Sequence, residues 1–170
     1  DGPGPHAEAD VTLRNYYAVS KYAGELAALR VPSSILRTNF FGPSQRPGRA
    51  SLTDWLHQAL TAGERVDVFT NVLFSPLSMG TLSGLIDLVL RRRCPGVFNV
   101  GGRDGMSKAA FAFRFAEAVG LSTANMSPCA MEPATLHAQR PLDMRMDCSR
   151  FERAFGVELP TDDSEILLVA

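Results

Sequence analysis

Two short apolar runs, SSILRT at Ser33–Thr38 and VFNV at Val97–Val100, each follow a longer stretch whose apolar residues recur at helical spacing. That alternation constrains the fold more than any other feature. A short apolar run bounded by turn residues suits a strand buried on both faces, the mark of a parallel sheet covered by helices. The sequence therefore predicts an α/β fold.

The helices can be placed one by one. Asn15 to Arg30 carries Val19, Tyr22, Ala23, Leu26 and Leu29 as an apolar stripe, and Pro32 ends it. Ser51 to Ala62 starts at a capping arrangement of Ser51 with Asp54, although Glu or Gln is the usual partner, and ends at Gly63. RVDVF after it alternates like a strand. Thr81 to Arg93 shows Leu82, Leu85, Ile86, Val89 and Leu90 on one side. Its basic end, Arg91–Arg93, suits the negative pole of a helix. Ser107 to Val119 is rich in Phe and closes on Gly120. Ser149 to Phe155 has a capping box in Ser149 and Glu152, then Gly156. Two or three strands make a poor sheet by themselves, so the pattern reads as the back half of something larger.

The bulk numbers exclude more than they assign. A net charge of −1 over 170 residues gives no footprint for nucleic acid or an anionic membrane. No apolar run approaches the ~20 residues of a membrane span, and no signal peptide is visible. Cys94, Cys129 and Cys148 are odd in number and match neither a metal pattern nor a disulfide framework, so a cytoplasmic setting and no metal site are expected. The opening DGPGPHAEAD has loop composition and no initiator Met, which predicts a fragment or a processed chain.

Within NYYAVSKYAGE, Tyr17 and Lys21 stand four residues apart, on one face of the first helix. A free phenol ionises near ~10 and is a poor proton donor or acceptor at neutral pH. A nearby ammonium favours the phenolate. A tyrosine tuned this way can pass a proton to a carbonyl oxygen while hydride reaches the carbon.

The surroundings give the pair a context. Asp1-Gly2, Glu8, Asp10, Asn15, Tyr17, Ser20-Lys21 and Gly24-Glu25 follow one another; then come ILRTNFFGPS, FSPLSMGTLSGLIDLVL, GVFNVGG and RPLDMRMDCSRFERAFGVELP. In this order the segments resemble the extended short-chain dehydrogenase/reductases, above all the dTDP-4-dehydrorhamnose reductases and related nucleotide-sugar enzymes. The resemblance covers nearly the whole chain. It implies the C-terminal part of a Rossmann-like doubly wound parallel sheet plus a small substrate-binding region. Residues 1–42 would end the dinucleotide-binding core, 43–74 form a substrate-binding insertion, 75–102 return to the core and 103–170 complete the substrate side.

The resemblance also implies chemistry: a reductase of a nucleotide sugar using NAD or NADP, with epimerases and dehydratases as relatives. Tyr17 would be the general acid/base and Lys21 its electrostatic partner, both touching the cofactor. Asn39, Phe40 and Phe41 would line the nicotinamide pocket, and Arg140 would meet the substrate's diphosphate. Phe40 and Phe41 equally suit plain core packing, and Arg140 a surface ion pair with Asp143. Met79-Gly80-Thr81 departs from the acidic or Val-Asp step usual in the family.

One family feature has no match. No Gly-x-Gly-x-x-Gly or Gly-x-x-Gly-x-x-Gly occurs, and GGRDG at Gly101–Gly105 has the wrong spacing. The family's catalytic Ser or Thr is expected upstream of Asp1. The expectation is a chain that lacks most of the cofactor half, binds nicotinamide cofactor weakly and turns over little by itself. Self-association, or association with a missing N-terminal half, is expected to cover its open strand edge. A non-catalytic binding or regulatory role on the same fold is the alternative.

Overall fold

The computed structural model describes residues 3–132 and 139–168. Asp1 and Gly2, part of the resemblance above, lie outside them. The first helix, α1, spans Tyr16–Ala28, and the side chain of Asn15 caps it by accepting the Ala18 N–H at 2.9 Å. The next segment, β1 (Ser34–Phe41), is the middle strand of a three-stranded parallel sheet. Its neighbours are β4 (Pro76–Ser78) and β5 (Gly96–Val100). Ile35 stands opposite Val97 and Asn39 opposite Pro76, so the first half of β1 pairs with β5 and its carboxyl end with β4.

The predicted α/β architecture and parallel sheet are present, but with eight strands among the described residues rather than three. β2 (Val66–Phe69) pairs in parallel with β7 (Met126–Cys129). β3 (Leu73–Phe74) lies between β6 (Met106–Ser107), antiparallel to it, and β8 (Asp143–Met144), parallel to it. Two-residue strands are too short to show any period, and β7 contains Pro128, which removes a ladder donor.

Helices α2 (Leu52–Thr61), α3 (Met79–Arg92), α4 (Lys108–Ala118) and α5 (Ser149–Phe155) fall close to their predicted places. α3 starts two residues early because the Ser78 side chain caps it, accepting from Thr81 N–H at 3.1 Å. A sixth helix, α6 (Asp162–Leu167), was not expected; Thr161 caps it. The box at α2 forms with Asp in place of Glu: Asp54 accepts the Ser51 N–H at 2.9 Å and Ser51 accepts the Asp54 N–H at 3.1 Å.

The capping box expected of Ser149 and Glu152 does not form. Cys148 holds the N-cap position without a side-chain bond. The Glu152 carboxylate instead accepts the Leu159 N–H at 2.9 Å and meets Arg103 at 3.3 Å. A loop donor and a cation outcompete the helix's own first turn.

Two hydrophobic clusters hold the fold. One joins Leu77, Leu82, Phe98, Val100, Phe151 and Phe155, which places α3 and α5 on the parallel sheet. The other joins Phe41, Leu56, Val66, Phe74, Phe111 and Phe115, which packs α2 and α4 over β2 and β3. α1 belongs to neither and has no buried residue. Its stripe faces outward: Val19, Leu26 and Leu29 are each about half exposed among the described residues. A paired ion bridge ties the helix down, with Arg37 donating to both Glu25 carboxylate oxygens at 2.8 and 2.7 Å.

Candidate active site

Parallel sheets place ligands beyond the carboxyl ends of their strands. At that end of β1 the structure has a cavity of about 1360 Å³. The first turns of α1 form one wall, with Asn15, Tyr17 and Ala18. Asn39 and Phe40 come from β1, and Trp55 and Leu56 from α2. Gln139, Arg140 and Pro141 close another side.

Of the residues singled out in the sequence, Tyr17, Asn39, Phe40 and Arg140 therefore share one cavity. Tyr17 is 71% exposed, so its phenol is open to a ligand. The Lys21 ammonium lies 5.8 Å from the centre of that ring, although Lys21 itself is not in the cavity wall. Asn39 turns its amide oxygen to the Ser75 N–H at 3.4 Å. Phe41 goes elsewhere. Successive strand residues face opposite sides, and while Phe40 stays 61% exposed, Phe41 is 3% exposed and packs edge-on against Phe111 at 4.9 Å.

The ion pair between Arg140 and Asp143 does not form. Asp143 is taken by Arg145, whose guanidinium donates to both its oxygens at 3.0 and 2.7 Å. The Gly4 N–H adds a third bond at 2.7 Å. These bonds hold the Asp143 carboxyl well below the usual carboxylate range, Arg145 first among the causes. With Asp143 occupied, Arg140 stays at the rim of the cavity.

Asn15 has a second task that sequence reasoning missed. While its oxygen caps α1, its amide nitrogen donates to the Gln139 carbonyl at 2.7 Å. One side chain thus fixes the start of the tyrosine helix against the segment bearing Arg140. Lys108 was missed too. It is the first residue of α4 and its ammonium lies 3.4 Å from the centre of the Phe74 ring, in the cavity wall. Burial lowers its pKa to about 8.

Arg14, Tyr16 and Asp67 also line this cavity, whereas Cys148 does not. Cys148 is buried, and desolvation pushes its thiol up to about 12. Among the described residues no three His, Cys, Asp or Glu side chains gather where a metal could bind. No helix among them is long and apolar enough to cross a membrane.

A parallel α/β sheet with a large cavity at its carboxyl edge is the layout of nucleotide-binding Rossmann-like proteins. The chain matches the family model for the RmlD substrate binding domain over residues 1–167, and it belongs to that family. It is 31% identical over 172 residues to a dTDP-4-dehydrorhamnose reductase of Sinorhizobium fredii, an alignment covering 93% of this chain and 57% of that protein. A dTDP-4-dehydrorhamnose reductase structure from Clostridium acetobutylicum superposes with a TM-score of 0.87 at 19% identity, over 99% of this chain and 60% of that one. A dTDP-4-dehydrorhamnose reductase from Bacillus anthracis in complex with NADP gives a TM-score of 0.78 at 20% identity, over 93% of this chain and 56% of that one. These likenesses show a Rossmann-like fold. The chain spans about half the length of the curated relatives it matches.

Proposed function

We propose that this chain carries the substrate side and the proton-transfer pair of an NAD(P)-dependent nucleotide-sugar reductase of the dTDP-4-dehydrorhamnose reductase type. The observation that carries this reading is the meeting of Tyr17, Asn39, Phe40 and Arg140 in one cavity, with the Lys21 ammonium 5.8 Å from the tyrosine ring. Family membership and the kinship with named reductases support it.

The residues fit the nicotinamide end of a dinucleotide. Phe40 offers an open aromatic face, and Asn39 an amide at the strand end. The bound nicotinamide would supply hydride to the sugar's carbonyl carbon. Tyr17 holds the matching proton: its phenol donates to the carbonyl oxygen as that oxygen gains charge, leaving an alcohol on the sugar and a phenolate on the enzyme. Lys21 stabilises that phenolate through its charge. Arg140, at the cavity rim, provides the planar fork that suits a diphosphate. In this reading residues 1–42 and 75–102 form the cofactor side, and 43–74 with 103–170 the substrate side. The two hydrophobic clusters support that division, except that α5 packs with the cofactor side and Phe41 with the substrate side.

Replacing Tyr17 by Phe removes the hydroxyl and keeps the ring. In the full-length protein, with NADH or NADPH and a 4-keto nucleotide sugar as substrates, kcat is expected to fall by ~10²–10⁴ while the fold persists. Turnover equal to that of the parent protein removes Tyr17 from the mechanism.

A further inference from the structure

The chain has two lysines, Lys21 and Lys108, and arginine for all its other strong bases. Lys21 sits beside the proposed acid/base. Lys108 has no such neighbour. Its backbone N–H is satisfied by the Val72 carbonyl at 2.8 Å, which fixes the residue at the start of α4. Lys108 lines the cavity together with the apolar residues Val72, Phe74, Leu56 and Ala112.

The ammonium is held there by the Phe74 ring. Among the described residues no carboxylate pairs with it. An ammonium partly removed from water loses solvation that a ring face replaces only in part. The lowered pKa records the same deficit. An anion is the partner that corrects it.

The other charged groups of the cavity point to the same ligand class. Arg140 is cationic, and so is Arg14, which already has an interaction of its own. Asp67 is the one carboxylate in the described wall, and it already meets Arg65 at 3.2 Å. The wall is thus mostly apolar, and its cations outnumber its carboxylate.

We propose that Lys108 is a substrate-binding residue whose ammonium receives a phosphate oxygen of the nucleotide part of the substrate inside this cavity. The choice of a nucleotide phosphate over other anions rests on the reductase reading above. The lining is mostly apolar, and it includes the aromatic side chains Trp55 and Phe69, on which a base can stack.

Calorimetric titration of the protein with dTDP and with thymidine tests this without any turnover. The parent protein is expected to bind dTDP more tightly than thymidine. Lys108→Met should weaken dTDP by about tenfold or more and leave thymidine unchanged, while Lys108→Arg keeps dTDP binding within about threefold. Dimethylation of the two lysines keeps their charge and gives each an NMR signal. In the unsubstituted protein the Lys108 signal should titrate higher with dTDP present than without it. The proposal is overturned if dTDP does not bind, if Lys108→Met binds it like the parent, or if dTDP leaves the Lys108 titration in place. Because Tyr17→Phe is read in turnover and Lys108 in binding, either reading can fail while the other stands.

Discussion

At the scale of single residues, the most consequential contact is the one that anchors α1. Arg37 grips Glu25 through two hydrogen bonds, and their side chains are 23% and 15% exposed. The hydrogen bonds to Glu25 above all, with the charge of Glu25, Glu8 and Tyr22, raise the Arg37 pKa against the opposing effect of burial. Since α1 buries nothing, this pair stands in for a core. Glu25→Gln should destabilise the protein by about 1–3 kcal/mol, because it leaves a half-buried guanidinium with a weaker partner. Urea unfolding measures this; a midpoint unchanged from the parent would show that α1 is held by other means. The exposed pair Arg91–Asp87, 75% and 58% exposed, should contribute little by comparison. The same scale shows what sequence could and could not reveal. Tyr17 and Lys21 were legible because their spacing lies on one helix. Lys108 left one faint trace: a cation in the first turn opposes the helix dipole, so a lysine there invites the question of what else holds it. The Asn15–Gln139 bond left none, since it joins positions 124 apart in the chain.

At the scale of elements, strong caps and long periods were read correctly, whereas short strands were not. α2 announced itself through Ser51, and its box formed with Asp54. Ser149 and Glu152 had the right spacing, but spacing says nothing of competing donors such as Leu159 N–H. α6 was hidden because six residues give no period, yet it carries the most unusual charges in the protein. Asp162 and Glu165 are each 1% exposed. Glu165 is satisfied by the Ser78 N–H at 2.5 Å and the Thr81 hydroxyl at 2.7 Å. No well-formed hydrogen bond reaches either Asp162 oxygen. Burial first, then the charge of Asp104, raise its pKa to about 7; Glu165 pushes the same way, while Arg114 and the Gly105 N–H oppose. An unfolded Asp ionises near ~4. Between these values the native form holds a proton that the unfolded chain has lost, so stability from this group falls as pH rises through that window. Unfolding midpoints should therefore be higher at pH 5 than at pH 7.5, and Asp162→Asn should flatten the difference. A variant with the parent's slope would assign the dependence to another group.

At the scale of the whole molecule, two cores share one chain. Phe98 packs edge-on against Phe155 at 5.3 Å in the sheet cluster, and Phe111 against Phe41 and Phe74 in the other. Phe98→Leu and Phe111→Leu should each destabilise by about 0.5–3 kcal/mol. As the two rings share no partners, the double variant should equal the sum within about 0.5 kcal/mol. A large departure in the measured double-mutant cycle would mean that the clusters yield as a single unit. Sequence pattern predicted the class of fold because the class depends on alternation along the chain. It could not predict the cavity, whose walls come from α1, β1, α2 and residues near 140 at once.

The amide of Asn15 gives this arrangement a mechanical property. It is a joint between two walls that are otherwise far apart in the chain, and its two bonds, 2.9 and 2.7 Å, leave it little play. A pull on Arg140 passes through its neighbour Gln139 to the root of the helix on which Tyr17 rides. In the proposed reading, seating of a ligand's distant end at Arg140 and the aim of the Tyr17 phenol are geared together by a single side chain.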